Sequence, residues 1–229
     1  MKESDPHTQE LQPTPFDLLM GQIRECHHCA GRIPEPRPVV RAHPQARLLI
    51  VGQAPGLRVH QSGIPWNDPS GNTLREWLQI DRARFYDPTT VAILPVGFCY
   101  PGRGPNGDLP PRPECAALWR SPLLRKLPNC RLTLLIGRYA HHLYQAETRT
   151  LSVTETVRQA HCWLPRFFML PHPSPRNRLW LRKHPWFERE TLPRLRILLE
   201  SILEAQSGFC QPLFSSAIKE PIDDSGLPR

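Results

Sequence analysis

Four short runs along the chain are apolar without interruption by charge: 47–52 (RLLIVG after its first arginine), 91–96 (VAILPV), 131–137 (RLTLLIG) and 166–171 (RFFMLP). Runs of this length without polar alternation fit strands covered on both faces, as in a parallel sheet. Apolar residues recur at helical spacing over 16–25, 72–80, 114–127, 138–146, 151–159 and 186–205, with Pro122 interrupting the third stretch. Strands alternating with helices predict one α/β layered domain, spanning 15–206. The ends, 1–14 and 207–229, are polar, contain proline or serine and show no periodicity, so flexible tails are expected there.

Three loops after the predicted strands are distinctive: GQAPG (52–56), FCYPGRGPNGDLPPRPEC (98–115) and HPSPRNR (172–178). In an open parallel sheet, ligands collect beyond the carboxyl ends of the strands, so the three loops are expected to meet. Glycines in the first turn let backbone approach a ligand closely. The 28 prolines cluster at element boundaries, which fits rigid, shaped loops.

A net charge of +8 and an isoelectric point near 9.5 favour a polyanionic partner. No run approaches the ~20 apolar residues of a membrane span, so no membrane association is expected. Residues 1–15 lack the basic-then-apolar order of an export signal, and a cytoplasmic location is expected. The seven cysteines are Cys26, Cys29, Cys99, Cys115, Cys130, Cys162 and Cys210, an odd count that makes a poor disulfide framework. Cys26 and Cys29 form a C-x-x-C pair, and Cys99 and Cys115 flank a Pro/Gly-rich loop. Four thiolates hold tetrahedral zinc or an iron–sulfur cluster; spacing alone leaves both open, beside four ordinary reduced thiols. Cys130, Cys162 and Cys210 read as packing residues. The chain has no Gly-x-Ser-x-Gly elbow and no Gly-x-Gly-x-x-Gly phosphate loop, which argues against a metabolic α/β hydrolase.

GQAPG after a first strand and HPSPRN after a last one together resemble the signature motifs of the uracil-DNA glycosylase superfamily. The cysteine layout, with Cys99 seventy residues beyond Cys29 and Cys115 closing a similar loop, resembles its iron–sulfur cluster-bearing family-four enzymes. GIPW, residues 63–66, falls where that family has a Gly-x-Pro-aromatic segment. The resemblance implies a three-layer α/β/α sandwich around a short parallel four-stranded sheet. It implies a monofunctional, water-using DNA repair glycosylase acting on uracil or another damaged base flipped out of damaged or single-stranded DNA, and a monomer. It implies base binding by Gly52, Ala54, Pro55, Gly56 and Trp66, whose ring would stack on the base. It assigns His172 to the departing base oxyanion and Ser174 to a phosphate. Arg176, Asn177 and Arg178 fall where relatives wedge the duplex or touch its backbone. It favours a 4Fe–4S cluster over zinc on Cys26, Cys29, Cys99 and Cys115, pinning the first helix to a loop whose Arg103, Asn106 and Arg112 would lie near DNA.

Two residues depart from that pattern. Gln53 stands where family-four enzymes carry a glutamate, and the next residue is Ala54 rather than the Asp or Asn of other branches. An amide aligns water but does not take its proton at neutral pH. Asp68 is a candidate displaced carboxylate, and equally a helix N-cap in D-P-S-G; His60 is a further candidate base. Pro95 lies where uracil readers place an asparagine on the second strand, which puts uracil specificity in doubt. A second function therefore stands beside the first: an iron–sulfur DNA-binding module that holds damaged or single-stranded DNA with little or no cleavage.

Overall fold

In the computed structural model, which describes residues 12–105 and 107–204, the four apolar runs become the strands of one sheet. They are β1 (Leu48–Val51), β2 (Val91–Ile93), β5 (Leu132–Ile136) and β6 (Phe167–Leu170), all parallel and ordered β2-β1-β5-β6. Every residue in these strands is buried, so helices and loops cover both faces. The chain moves outward from β1 to β2 in one direction and from β5 to β6 in the other. The reversal leaves a crevice at the carboxyl ends of β1 and β5. The expected α/β fold around a four-stranded parallel sheet is what forms.

Helix α1 (Pro15–Arg24) starts at a capping box, in which Asp17 N–H donates to the Thr14 hydroxyl and the Asp17 carboxylate accepts from Thr14 N–H. Thr14, placed by sequence in a flexible tail, is thus part of the helix start; residues 1–11 and 205–229, including Cys210, lie outside the described residues. Three short helices were not evident from periodicity: α2 (Leu57–Ser62), α4 (Arg82–Tyr86) and α8 (Arg178–Lys183). Helix α3 (Pro69–Leu78) joins α2 to α4. A small antiparallel hairpin, β3 (Arg103–Gly104) with β4 (Gly107–Asp108), rises from the loop between Cys99 and Cys115.

The stretch interrupted at Pro122 and the one that reads as continuous over 186–205 both divide. Residues Ala116–Arg120 form a wide π-type turn before α5 (Ser121–Arg125), and Phe187–Thr191 form another before α9 (Leu192–Glu204). Pro122 and Pro193 stand at the second position of the α-segments that follow. Each lacks the N–H that would continue the i→i−4 ladder across the junction. Helix α9 buries Leu195, Leu199, Ile202 and Leu203 along one stripe, as its spacing predicts. Helices α6 (Arg138–Tyr144), α7 (Val153–Arg158) and α8 (Arg178–Lys183) complete the covering layers. Of the packing cysteines, Cys130 is buried, but Cys162 is exposed beside the Nε2 of His161 on a short surface turn rather than in the core.

His141 ties α6 to two strands. Its Nε2–H faces the Leu135 carbonyl of β5 at 3.0 Å and the Leu170 carbonyl of β6 at 3.1 Å. Burial lowers its pKa from 6.5 to about 4. The unfolded chain therefore takes the proton first, and this contribution to stability is full above pH 6.5 and lost as pH falls toward 4. Urea titrations should show the protein losing about 3 kcal/mol between pH 7 and pH 4 from this group alone. His141→Gln should show a correspondingly shallower pH dependence.

Candidate active site

Past the end of β1 the backbone keeps pairing with the segment after β2. Leu94 N–H donates to the Ile50 carbonyl, Val96 N–H to Gly52 and Gly97 N–H to Gln53, at 2.9–3.0 Å. The turn is thereby held flat against the β2 loop while its Gln53–Pro55 edge faces a pocket. That pocket is open to solvent and lies in the crevice at the strand ends. Gly52, Gln53, Ala54 and Pro55 line one side, and Trp66, Asp68 and His172 line the others. The turn after β1 and the loop after β6 therefore meet as expected, but no residue of the expected third loop, 98–115, lines the pocket, and the third segment is the one that carries Trp66. Gly56 instead caps α2 and turns toward Asp108 of the hairpin.

Trp66 is held in an uncommon conformation. Its φ is +56°, in the left-handed region that bulky residues avoid. A side chain at residue 71 would begin 1.7 Å from the Trp66 carbonyl oxygen, so only glycine permits this backbone path. A side chain at residue 52 would begin 2.8 Å from Cζ2 of the indole, so the ring rests on bare backbone at the end of β1. From outside, the Tyr86 hydroxyl donates to the Pro65 carbonyl at 2.9 Å, and Arg75 Nη1 reaches both the Trp66 carbonyl and the Tyr86 hydroxyl. The guanidinium groups of Arg41, Arg75 and Arg82 all stack on the Tyr86 ring, 5.1–5.6 Å from its centroid.

The His172 ring lies 5.7 Å from the indole at a tilt of 36°. Its Nδ1 is buried with no hydrogen-bond partner among the described residues. Desolvation lowers the imidazole pKa, and the charge of Asp68 opposes that shift. The ring is thus kept neutral near pH 7. Its backbone is fixed by Asn177, whose Nδ2 donates to the His172 carbonyl at 2.7 Å. Asn177 therefore serves the position of His172 directly. Ser174 accepts from Arg176 N–H and starts the turn, while Arg176 and Arg178 are exposed, Arg176 lying against Gly107 of the hairpin.

Asp68 fills both of its expected places. One carboxylate oxygen accepts from Gly71 N–H at 2.8 Å as the N-cap of α3, and the side chain also borders the pocket. His60 does not: it is buried away from the pocket lining, against the Tyr100 ring and 3.2 Å from the Glu35 carboxylate. Sequence reasoning missed the apolar wall. Val39, Val59, Ile93 and Pro95 complete the pocket, and only Pro95 carried a signal, by the absence of an amide. Among the described residues, no lysine or arginine lines it.

The family model of the Uracil DNA glycosylase superfamily matches residues 40–196. The chain belongs to that superfamily. The match takes in the turn after β1, Trp66 and the loop after β6, so the pocket lies wholly within the matched region apart from Val39. Glycosylases of this superfamily act on DNA, which agrees with the basic charge of the chain. Cys26 and Cys29 precede the match, whereas Cys99 and Cys115 fall inside it.

The four cysteine side chains lie within electrostatic reach of one another. Burial, together with the neighbouring thiols, pushes Cys99 up to about 12 and Cys115 up to about 11. Cys115 Sγ accepts from Phe98 N–H at 3.4 Å, and the Arg112 guanidinium reaches both Cys29 and Glu114. Glu114 also pairs with Arg32 at 2.8 Å. Arg112 is thus engaged beside the thiols; Asn106 lies outside the described residues. Among the described residues, no three His, Cys, Asp or Glu side chains stand close enough together to hold a metal ion as they are. Thiols with pKa values this high bind a metal only by releasing their protons to solvent as the metal takes the thiolates.

The two close approaches around Trp66 make a sharp contrast with an open glycine. Gly71→Ala should cost about 1–3 kcal/mol in urea denaturation, because the Trp66 carbonyl must move. Gly21→Ala, inside α1 with nothing within 4 Å of the new methyl, should instead stabilise by about 0.5–1 kcal/mol.

Proposed function

We propose that this chain is a monofunctional DNA repair glycosylase that hydrolyses the N-glycosidic bond of uracil or another damaged base flipped into the Trp66 pocket. The observation that carries the reading is that Gln53, Trp66 and His172, each from a different loop, line one pocket at the sheet's topological reversal. An enzyme acting on a base must draw it out of the stack and hold it against an aromatic face. Trp66 supplies that face, and the backbone of Gly52, Ala54 and Pro55 approaches the base and sugar.

In this reading, water adds to the sugar carbon as the bond to the base nitrogen breaks, and the electron pair leaves with the base. Gln53 aligns the water through its amide. His172, neutral, donates a hydrogen bond to the oxygen where negative charge gathers. Asp68 offers its second carboxylate oxygen to the same space. Among the described residues no lysine lines the pocket, which supports water rather than an amine as the nucleophile. Ser174, Arg176 and Arg178 grip phosphates at the pocket's edge, with Asn177 bracing the turn. The protein acts as a cytoplasmic monomer on damaged or single-stranded DNA.

Cys26, Cys29, Cys99 and Cys115 are assigned a 4Fe–4S cluster rather than zinc. An all-sulfur donor set, with the Phe98 N–H directed at the Cys115 sulfur and Arg112 beside Cys29, supports that choice. When bound, the cluster supplies a crosslink between the end of α1 and the hairpin loop. A second reading, a DNA-binding module with little cleavage, is favoured by one observation: the amide of Gln53 cannot deprotonate water.

Duplex and single-stranded oligonucleotides carrying uracil, hypoxanthine, xanthine or oxidised bases, followed by alkaline scission, separate the two readings. Base release with a His172→Ala loss of about 10²–10³-fold in rate and little loss of DNA affinity is the expected result. Tight retention without scission at enzyme excess would establish the binding module. Gln53→Glu should fold normally and raise the rate on uracil, within the ~10²–10⁴-fold range of general-base assistance. Anaerobically purified protein should show a broad brown absorption that disappears in Cys99→Ser.

A further inference from the structure

Three arginines converge on one ring behind the Trp66 rim. The guanidinium carbons of Arg41, Arg75 and Arg82 lie 5.4, 5.6 and 5.1 Å from the Tyr86 ring centroid. They come from the segment that bridges to β2, from α3 and from α4, so the fold gathers them from three places in the chain. No carboxylate pairs with any of the three among the described residues. The nearest acid along the chain, Asp87, is taken up by the Thr89 N–H and by the hydroxyls of Thr89 and Thr90. What the guanidiniums touch are uncharged oxygens. Arg41 donates to the Tyr86 carbonyl, Arg82 to Asn67 Oδ1, and Arg75 to the Trp66 carbonyl, the Tyr86 hydroxyl and Asn72 Oδ1. Stacking on the phenol ring offsets part of the repulsion among the three cations, and no anion of the chain offsets the rest. Arg32 and Arg112, by contrast, share the Glu114 carboxylate.

We infer that this cluster is a binding site for a phosphate group, carried either by a nucleic-acid backbone or by a free nucleotide. Guanidinium forks are the donors that match phosphate oxygens in pairs, and Arg41 and Arg82 each keep most of their N–H groups unused among the described residues. The Oδ1 atoms of Asn67 and Asn72 face Arg82 and Arg75, which leaves the Nδ2 of each as a further neutral donor. Arg82 and Asn72 are exposed, and Arg41 and Arg75 are half-buried, so an anion reaches the cluster from solvent without opening the fold. The site goes beyond the glycosylase reading and uses none of the residues that line the pocket. It is joined to the pocket mechanically, because Tyr86 and Arg75 hold the carbonyls of Pro65 and Trp66. A phosphate seated on the stack supplies the missing negative charge to that brace.

The test uses the full chain and reads binding rather than base release, so its outcome is separate from that of the glycosylase reading. Arg82→Gln loses a single bond of 3.4 Å at an exposed position, and Arg41→Gln keeps an amide donor for the Tyr86 carbonyl. Arg125→Gln, an exposed arginine in the last turn of α5, controls for net charge. Two ligands are titrated into each protein. One is a duplex with a tetrahydrofuran abasic analogue, followed over a range of salt concentrations; the other is dAMP at fixed ionic strength. If the phosphate belongs to DNA, the slope of log affinity against log salt should shrink by about 1 in Arg41→Gln and in Arg82→Gln and hold in Arg125→Gln. If it belongs to a free nucleotide, dAMP affinity should fall about tenfold or more in the same two variants, with the DNA slope unchanged. Either result supports the site and names its source. Loss of neither property in Arg41→Gln and Arg82→Gln would overturn the inference, as would an equal loss in Arg125→Gln.

Discussion

The order of four strands governs where everything else can be. Because β1 and β5 send the chain outward in opposite directions, loops from both halves lean into the space above their carboxyl ends. The turn after β1 is stapled to the β2 loop by three backbone hydrogen bonds. The loop after β6 begins two residues beyond Leu170, whose carbonyl receives Gly137 N–H and faces the His141 ring. Both rims of the pocket are thus continuations of strand pairing. The side chains at the rim inherit the rigidity of the sheet, which is what a site needs to hold groups at fixed separations.

The third rim has no strand beneath it and is held differently. Trp66 sits in a left-handed conformation on a loop, and its position comes from exclusion and from a polar brace. Glycines at 52 and 71 leave room that any side chain would take away. Tyr86 and Arg75 then hold the carbonyls of Pro65 and Trp66 from behind, in a stack of three guanidinium groups on one phenol ring. Strain of this kind persists only where neighbours over-determine it, and it concentrates at sites that do work on a ligand.

Much of this was legible in the chain. The four apolar runs became the four strands, and the loops that followed the first and last of them supplied the pocket, because strand burial writes itself as uninterrupted hydrophobicity. Helices α2, α4 and α8 are too short to show a period, and they were not visible. The π-type turns before Pro122 and Pro193 were hidden because apolar spacing alone does not distinguish a wide turn from a regular one. Val39 and Val59 carry no mark that separates a pocket wall from ordinary core. His60 reads as reactive in sequence, yet its partners, Glu35 and Tyr100, come from segments 25 and 40 residues away and draw it from the pocket. Asp68 reads as either cap or acid, and the fold gives it both contacts because a helix start can also be a pocket rim.

Asn177 donates its amide to the carbonyl of His172, so the tip of the last loop and the imidazole form one mechanical unit. Ser174 closes the same turn from the other end. A force applied to the exposed arginines of this turn is therefore felt by the ring five residues upstream, without any intervening hinge. Substitutions meant only to weaken contact at the protein's outer surface will, at this corner of the molecule, also disturb the chemistry inside it.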